Sequence, residues 1–232
     1  MNKLKTMMLS TIAIVALTAN AYAGSIGFGV TGSLAGVTAK GTELEGAVEK
    51  SQTTSVANES MLGSVFAEYT FDGDHGMSFG VDWIPTSANV NADTLSRTDT
   101  EASQEGTLAE TAVSQIRSAQ AEVDNYLTYY AELPLHGGLY AKGGFSTMDV
   151  NTLESIGSGK TYGNKSVDGT MWGIGYKNTF GSRGFYKVEG THTTFDGFTI
   201  NEAGQSTNSG QNSVTVSDLI VKRGQFSIGY SF

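Results

Sequence analysis

Four places in this chain of 232 residues combine residue types that do chemistry in other settings. Gly27-Phe28-Gly29-Val30-Thr31-Gly32 has the spacing of a dinucleotide-binding turn. That turn needs a strand before it and a helix after it, so that backbone N–H groups meet a pyrophosphate. Here the match lies inside an alternating segment with no helical pattern behind it, and it reads as strand. Gly157-Ser158-Gly159-Lys160-Thr161 resembles the end of a phosphate loop, but Glu154 stands where the first glycine belongs. Tyr162-Gly163-Asn164 starts no helix, so no helix N-terminus is there to hold phosphate. Asp72-Gly73-Asp74 offers two carboxylates of a calcium loop without the other oxygen ligands or the closing glutamate, and a tight turn accounts for it. Of the three histidines, His75 and His136 lie in short turn-like stretches. His192 sits near Thr191, Thr193 and Asp196, the company a nucleophile–base pair would need, but without a recognised catalytic spacing. The expectation is a protein with no catalytic residue, no cofactor and no metal centre.

The composition then limits the elements that carry these residues. There are 30 Gly, 2 Pro and no Cys, with 39% hydrophobic and 16% charged residues. Globular chains average about 7% Gly and about 25% charged residues. Glycine costs roughly 1 kcal/mol at each helix-interior position, which argues against a helical bundle. The 11 Phe, 10 Tyr and 2 Trp argue against disorder. The absence of Cys removes disulfide and thiolate chemistry. A net charge of −9 excludes nucleic acid as a partner. A glycine- and aromatic-rich all-β protein remains.

Residues 1–23 read as a secretory signal peptide: Lys3 and Lys5 precede an apolar core from Met7 to Ala19, and Ala21-Tyr22-Ala23 forms a small-x-small cleavage site. The apolar core is too short for a membrane-spanning helix, which needs about 20 residues. Removal of both lysines leaves residues 24–232, one domain, still more acidic than the whole chain.

Eight segments of that domain alternate with period two, as strands with one apolar face do. Their apolar positions are Ile26, Phe28 and Val30; Val65, Ala67, Tyr69 and Phe71; Met77, Phe79, Val81 and Trp83; Leu127, Tyr129, Ala131 and Leu133. Then follow Leu139, Ala141, Gly143 and Phe145; Trp172, Ile174 and Tyr176; Tyr186 and Val188; and Phe226, Ile228, Tyr230 and Phe232. Short connections at 72–76, 134–138 and 181–184 alternate with long polar ones at about 38–59, 86–122, 151–167 and 197–217. An up-and-down barrel with hairpin turns at one rim and large loops at the other has this rhythm. A weak helical stripe (Leu108, Ala112, Ile116, Ala119, Val123) crosses the largest loop, where a short helix and plain disorder are both compatible with the residues. A ten-stranded count stays open, because 86–122 and 197–221 have room for a further hairpin.

The opposite faces carry Glu68, Asp82, Glu132, Lys142, Lys177, Lys187, Glu189 and Arg223, four acids and four bases, among glycines. A soluble barrel would turn these charges to water, whereas a transmembrane barrel would turn them inward and give the apolar face to lipid. Three features favour the membrane. The inward charges balance, as buried charges must. Aromatics cluster near segment ends, like interfacial girdles. The chain stops on Phe232, inside an alternating aromatic segment.

With the export signal, the eight segments and the ending Gln225-Phe226-Ser227-Ile228-Gly229-Tyr230-Ser231-Phe232, the chain resembles bacterial outer-membrane β-barrel proteins, in particular the small eight-stranded OmpA-transmembrane-domain, OmpX-like and opacity-like members. The resemblance implies an eight-stranded antiparallel up-and-down transmembrane β-barrel. It implies that the barrel assembly machinery reads Phe226, Ile228, Tyr230 and Phe232, that both termini are periplasmic, and that the long loops are extracellular. No peptidoglycan-binding domain follows Phe232, so that anchoring role is not implied. Eight strands leave an interior that side chains just fill, so the inward charges are expected to form a packed network rather than a conducting path. The expected function is a non-enzymatic outer-membrane protein presenting acidic loops for envelope integrity, surface contact or adhesion. A narrow, porin-like pore or lateral route for small solutes is the alternative, and a membrane-embedded lipid hydrolase or protease comes third. Outer-membrane lipids and lipopolysaccharide are the expected partners, with divalent cations bridging loop carboxylates to them.

Overall fold

The computed structural model describes residues 24–45, 50–72, 76–90, 95–102, 112–153, 161–203 and 213–232. The signal peptide expected at 1–23, residues 73–75 and 157–160 lie outside them, and with them most of the two Asp/Gly- and Gly/Lys-containing stretches weighed above. The described strands, in chain order, are β1 (Gly24–Glu45), β2 (Lys50–Phe71), β3 (Ser78–Ile84), β4 (Ala88–Asn89), β5 (Leu95–Ala102), β6 (Ala112–Ala119) and β7 (Ala121–Pro134). They continue as β8 (Leu139–Thr152), β9 (Thr161–Tyr162), β10 (Lys165–Phe180), β11 (Gly184–Phe195), β12 (Phe198–Ala203), β13 (Ser213–Val216) and β14 (Leu219–Ser231).

Eight of these close a ring in the order β1-β2-β3-β7-β8-β10-β11-β14, each antiparallel to its neighbours, and β14 returns to β1 from Gly27↔Ser231 to Thr38↔Ile220. All eight alternating segments of the sequence are staves of this barrel. Closure pairs every stave on both sides over the lower wall, where each unpaired backbone group in lipid would cost several kcal/mol.

The long connections differ from the expectation of loops. β1 and β2 continue as one ladder up to Glu45↔Lys50, so most of 38–59 is strand. The stripe expected as helix or disorder is strand where it is described: residues 112–119 form β6, paired with β5, and 121–123 begin β7. β-branched and small residues without a helix cap pair more readily across a hairpin than along a helix. The extra hairpins β5–β6 and β12–β13 exist, but neither enters the ring, so the wall has eight strands rather than ten. β13 instead pairs with the upper part of β1, and β12 with β9, extending the wall above the ring.

Side-chain polarity inverts along each stave. On β1 the outward residues Ile26, Phe28, Val30 and Leu34 are exposed, while inward Thr31 and Ser33 are buried. Above Leu34 the phases exchange roles: inward Ala35 and Val37 are buried and outward Thr38 and Lys40 are exposed. An outward belt that is apolar only over the lower staves marks the lipid contact. Above it, apolar residues turn inward, as in a protein surrounded by water. On β7 a bulge between Asp124 and Leu127 makes the exchange. Asn125, at φ 49°, takes the extra position, a left-handed conformation that Asn tolerates better than most residues. Val123 is thereby buried, whereas strict alternation from Tyr126 would have turned Asp124 inward.

Candidate functional site: the barrel interior

Inward positions of five staves bring together six of the eight charges read from the sequence. Lys187 Nζ on β11 donates to Glu68 Oε2 on β2 at 2.8 Å and to Glu132 Oε1 on β7 at 2.9 Å. Lys177 Nζ on β10 donates to Glu68 Oε1 at 2.6 Å. Lys142 Nζ on β8 donates to Glu189 Oε1 at 2.6 Å and lies 3.6 Å from Glu132 Oε1. Gln225 Nε2 on β14 donates to the other Glu189 oxygen at 2.6 Å. The result is one continuous chain, Lys177–Glu68–Lys187–Glu132–Lys142–Glu189–Gln225, with three carboxylates balanced by three ammonium groups. The Lys187 side chain is 1% exposed, as is that of Glu68; only Lys177, at 25%, reaches solvent. In such a place each charge loses most of its hydration, and multiple short partners must replace it.

The remaining two charges form a second tier. Arg223 Nη1 donates to Asp82 Oδ2 at 2.9 Å, and Arg223 Nε to Ser33 Oγ at 3.4 Å. Tyr126 lies beside this pair, its ring 5.8 Å from the Arg223 guanidinium carbon, and its hydroxyl donates to Thr193 Oγ1 at 2.9 Å. Above it begins an apolar tier, in which Val37, Ile84, Val123, Met148, Val150, Val167, Phe195 and Val221 are among the buried residues.

All eight charges therefore face inward, in two separate ion-paired tiers. The sequence reading missed the aromatic rings between them. Tyr130 donates its hydroxyl to Glu68 Oε2 at 3.0 Å, and Lys142 Nζ sits 3.8 Å from its ring centroid. Phe66 packs 4.4 Å from Lys187 Nζ. Both occupy inward positions of recognised strands, so the period-two phase alone pointed to them. Two glycines of the inward phase make room for these rings. A Cβ on Gly80 would fall 2.4 Å from Tyr130 Cζ, and one on Gly29 would fall 2.4 Å from Phe66 Cζ. A cation against an aromatic face recovers part of the lost hydration.

The upper apolar tier was also missed, because Leu219 and Val221 fall out of step with Val214 and Val216 in the sequence. The structure separates them: β13 ends at Val216 and β14 begins at Leu219, so each pair follows its own strand's phase. Phe226, Ile228 and Tyr230 face outward on β14, and Phe232 follows it, its N–H donating to the Ile26 carbonyl at 2.9 Å. His192 is on the outer face, its ring 5.3 Å from that of Trp172 and its Nε2 3.2 Å from Thr194 Oγ1. Thr191 and Thr193 point the other way from the same strand, so alternation itself separates them from the imidazole. Among the described residues, no group of three or more His, Asp or Glu is placed to hold a metal ion.

No protein-family model matches the chain, and no curated protein sequence matches it. Solved structures similar to it include the outer membrane protein OprG from Pseudomonas aeruginosa, at 10% identity over 91% of this chain and 97% of that one, with a TM-score of 0.48. The outer membrane protease OmpT from Escherichia coli is similar at 10% identity over 90% and 97%, with a TM-score of 0.45. Neisserial surface protein A is similar at 9% over 88% and 97%, with a TM-score of 0.38. These likenesses are remote, and nothing about activity rests on them. The chain is a closed ring of eight antiparallel strands, apolar outside over the lower part of its wall and ion-paired within, a transmembrane β-barrel in fold.

Proposed function

We propose that this protein is a closed, non-enzymatic barrel of the bacterial outer membrane, and that its work is done by the acidic β-structure above the bilayer, in envelope integrity, surface contact or adhesion. The observation that carries the reading is the filled interior: an ion-paired tier, an Arg223–Asp82 tier and an apolar tier follow one another along the axis. On this reading the signal peptide is removed, both termini are periplasmic, and the barrel assembly machinery reads the outward aromatic row of β14. Lipopolysaccharide and divalent cations are partners of the loops. Purified protein in planar lipid bilayers should give no stable single-channel steps; long-lived openings of uniform size would overturn the closed barrel.

A lateral route for small apolar solutes is the second reading, and one feature favours it. β2 and β3 pair only from Val65↔Trp83 to Thr70↔Ser78. Above that level, the apolar tier lies behind an unzipped stretch of wall, where Leu62 packs against the cluster containing Ile84 and Val90. The Asn58 amide, donating to the Asn89 carbonyl at 2.8 Å, bridges this stretch. The chain has no native Cys, so Asn58→Cys with Asn89→Cys can be joined by a short bifunctional thiol-reactive cross-linker with a disulfide spacer. Solute uptake that stops on cross-linking and returns on reduction would favour the route over the closed barrel.

A further inference from the structure

Two cross-strand glycine pairs leave the outer surface of the barrel without side chains, Gly32–Gly63 on β1 and β2 and Gly190–Gly224 on β11 and β14, and only the second has a cation in the row directly above it. Gly190 on β11 and Gly224 on β14 are direct cross-strand partners, and each lacks any heavy atom within 4 Å of where a Cβ would be. Four neighbours wall this floor. Leu34, opposite Gly224 on β1, closes one side, and Ile174, opposite Gly190 on β10, closes the other. Both are more than half exposed, so they stand proud of the floor. Below, towards the short-turn rim, the cross-strand pair Val188 and Phe226 forms an apolar sill. Above, Lys222 and His192 are again direct partners, flanked by Gly36 and Trp172, and Glu59 stands beyond Gly36 on β2. The notch is therefore two strands wide, roughly 10 Å from wall to wall at strand spacings of about 4.8 Å. It opens upwards onto a lysine and an imidazole at the edge of the apolar belt.

A side-chain-free floor exposes backbone and gives up packing unless something fills it. The bilayer supplies the filler, and the row above selects among its lipids. We propose that this notch seats an anionic membrane lipid, with its phosphate over Lys222 and His192 and the start of an acyl chain on the Gly190–Gly224 floor. The occupant follows from charge: Lys222 puts a cation directly above the floor, with the Glu59 carboxylate two strands away beyond Gly36, on the outside of a protein whose net charge is −9. Trp172 closes the row with its ring against His192, in the place where an indole meets headgroups. The inference rests on the membrane-spanning reading but not on whether the barrel conducts.

Trp172 serves as the reporter, because the only other tryptophan is Trp83, on β3 across the ring. The test uses full-length mature protein with Trp83→Phe, refolded into phosphatidylcholine vesicles. Equal mole fractions of brominated phosphatidylglycerol or brominated phosphatidylcholine act as quenchers. Quenching of Trp172 should report about a five-fold preference for the anionic lipid, the contribution expected of one lysine close to an anionic headgroup. Lys222→Gln should bring the preference close to one, and Gly190→Leu, which has open space to enter, should weaken it while the barrel still folds. The companion protein with Trp172→Phe, read at Trp83, should show no preference. Equal quenching by the two lipids at Trp172, a preference that survives Lys222→Gln, or the same preference at Trp83 would each overturn the proposal. Failure of either lipid to quench would instead contradict the membrane-spanning reading.

Discussion

Replacing Lys187 with Met tests whether the interior ion pairs act as one unit. The substitution keeps the stem's volume and removes one charge that bridges two carboxylates at 2.8 and 2.9 Å with a side chain only 1% exposed. Glu68 would keep Lys177 and the Tyr130 hydroxyl, but Glu132 would keep only Lys142 at 3.6 Å. Removing one partner of a buried pair costs about 3–5 kcal/mol, because the remaining charge is uncompensated. The retained contacts of Glu68 place the expected loss near the lower end, about 3 kcal/mol. The double variant Lys187→Met with Glu132→Gln leaves two carboxylates for two ammonium groups, and should recover at least half of that loss. Urea unfolding of the refolded barrel in lipid vesicles, read by tryptophan fluorescence and by the gel-mobility difference between folded and unfolded forms, measures both. A single variant losing less than about 1 kcal/mol, or a double variant losing the sum of the two single losses, would refute the idea of a coupled, charge-balanced tier.

Two further substitutions probe backbone and packing. Asn125→Val places a β-branched residue at φ 49° and should cost about 1–3 kcal/mol in the same unfolding assay, whereas Asn125→Gly should be close to neutral. Gly144→Val would put a Cβ 2.1 Å from the Tyr129 carbonyl oxygen, a backbone atom that cannot swing aside; the folded, faster-migrating form should be absent from gels of refolded protein.

The staves and their phases were legible because the period-two pattern is imposed by the pleat: each of the eight segments read from 24–232 is a stave, and each of the eight charges on the opposite phase faces inward. Two things were not legible. The polarity inversion above Leu34 swaps which phase is apolar, so residues such as Val37 and Val221 break the pattern that defines the belt while obeying the geometry of the strand. Reading the long polar connections as loops followed from the same cause, since a strand outside lipid need not show an apolar outer face. The pairing of the charges was also hidden. Glu68 and Lys187 are distant in sequence and meet only because the ring closes between β14 and β1. Tyr130 and Phe66 lay on the inward phase all along, and only the absence of charge kept them out of view.

The account depends on which phase of β1 meets lipid and where that contact ends. Single cysteines carrying a nitroxide spin label, placed one at a time from Ile26 to Lys40 in the refolded barrel in vesicles, measure this directly through collisions with oxygen, which concentrates in lipid, and with a water-soluble nickel chelate. Labels at Phe28, Val30 and Leu34 should respond to oxygen, those at Thr31, Ser33 and Val37 should be shielded from both reagents, and those at Thr38 and Lys40 should respond to nickel. Nickel collisions at Phe28 and Val30 comparable to those at Lys40 would mean that this face is in water, and the membrane barrel described above would be contradicted.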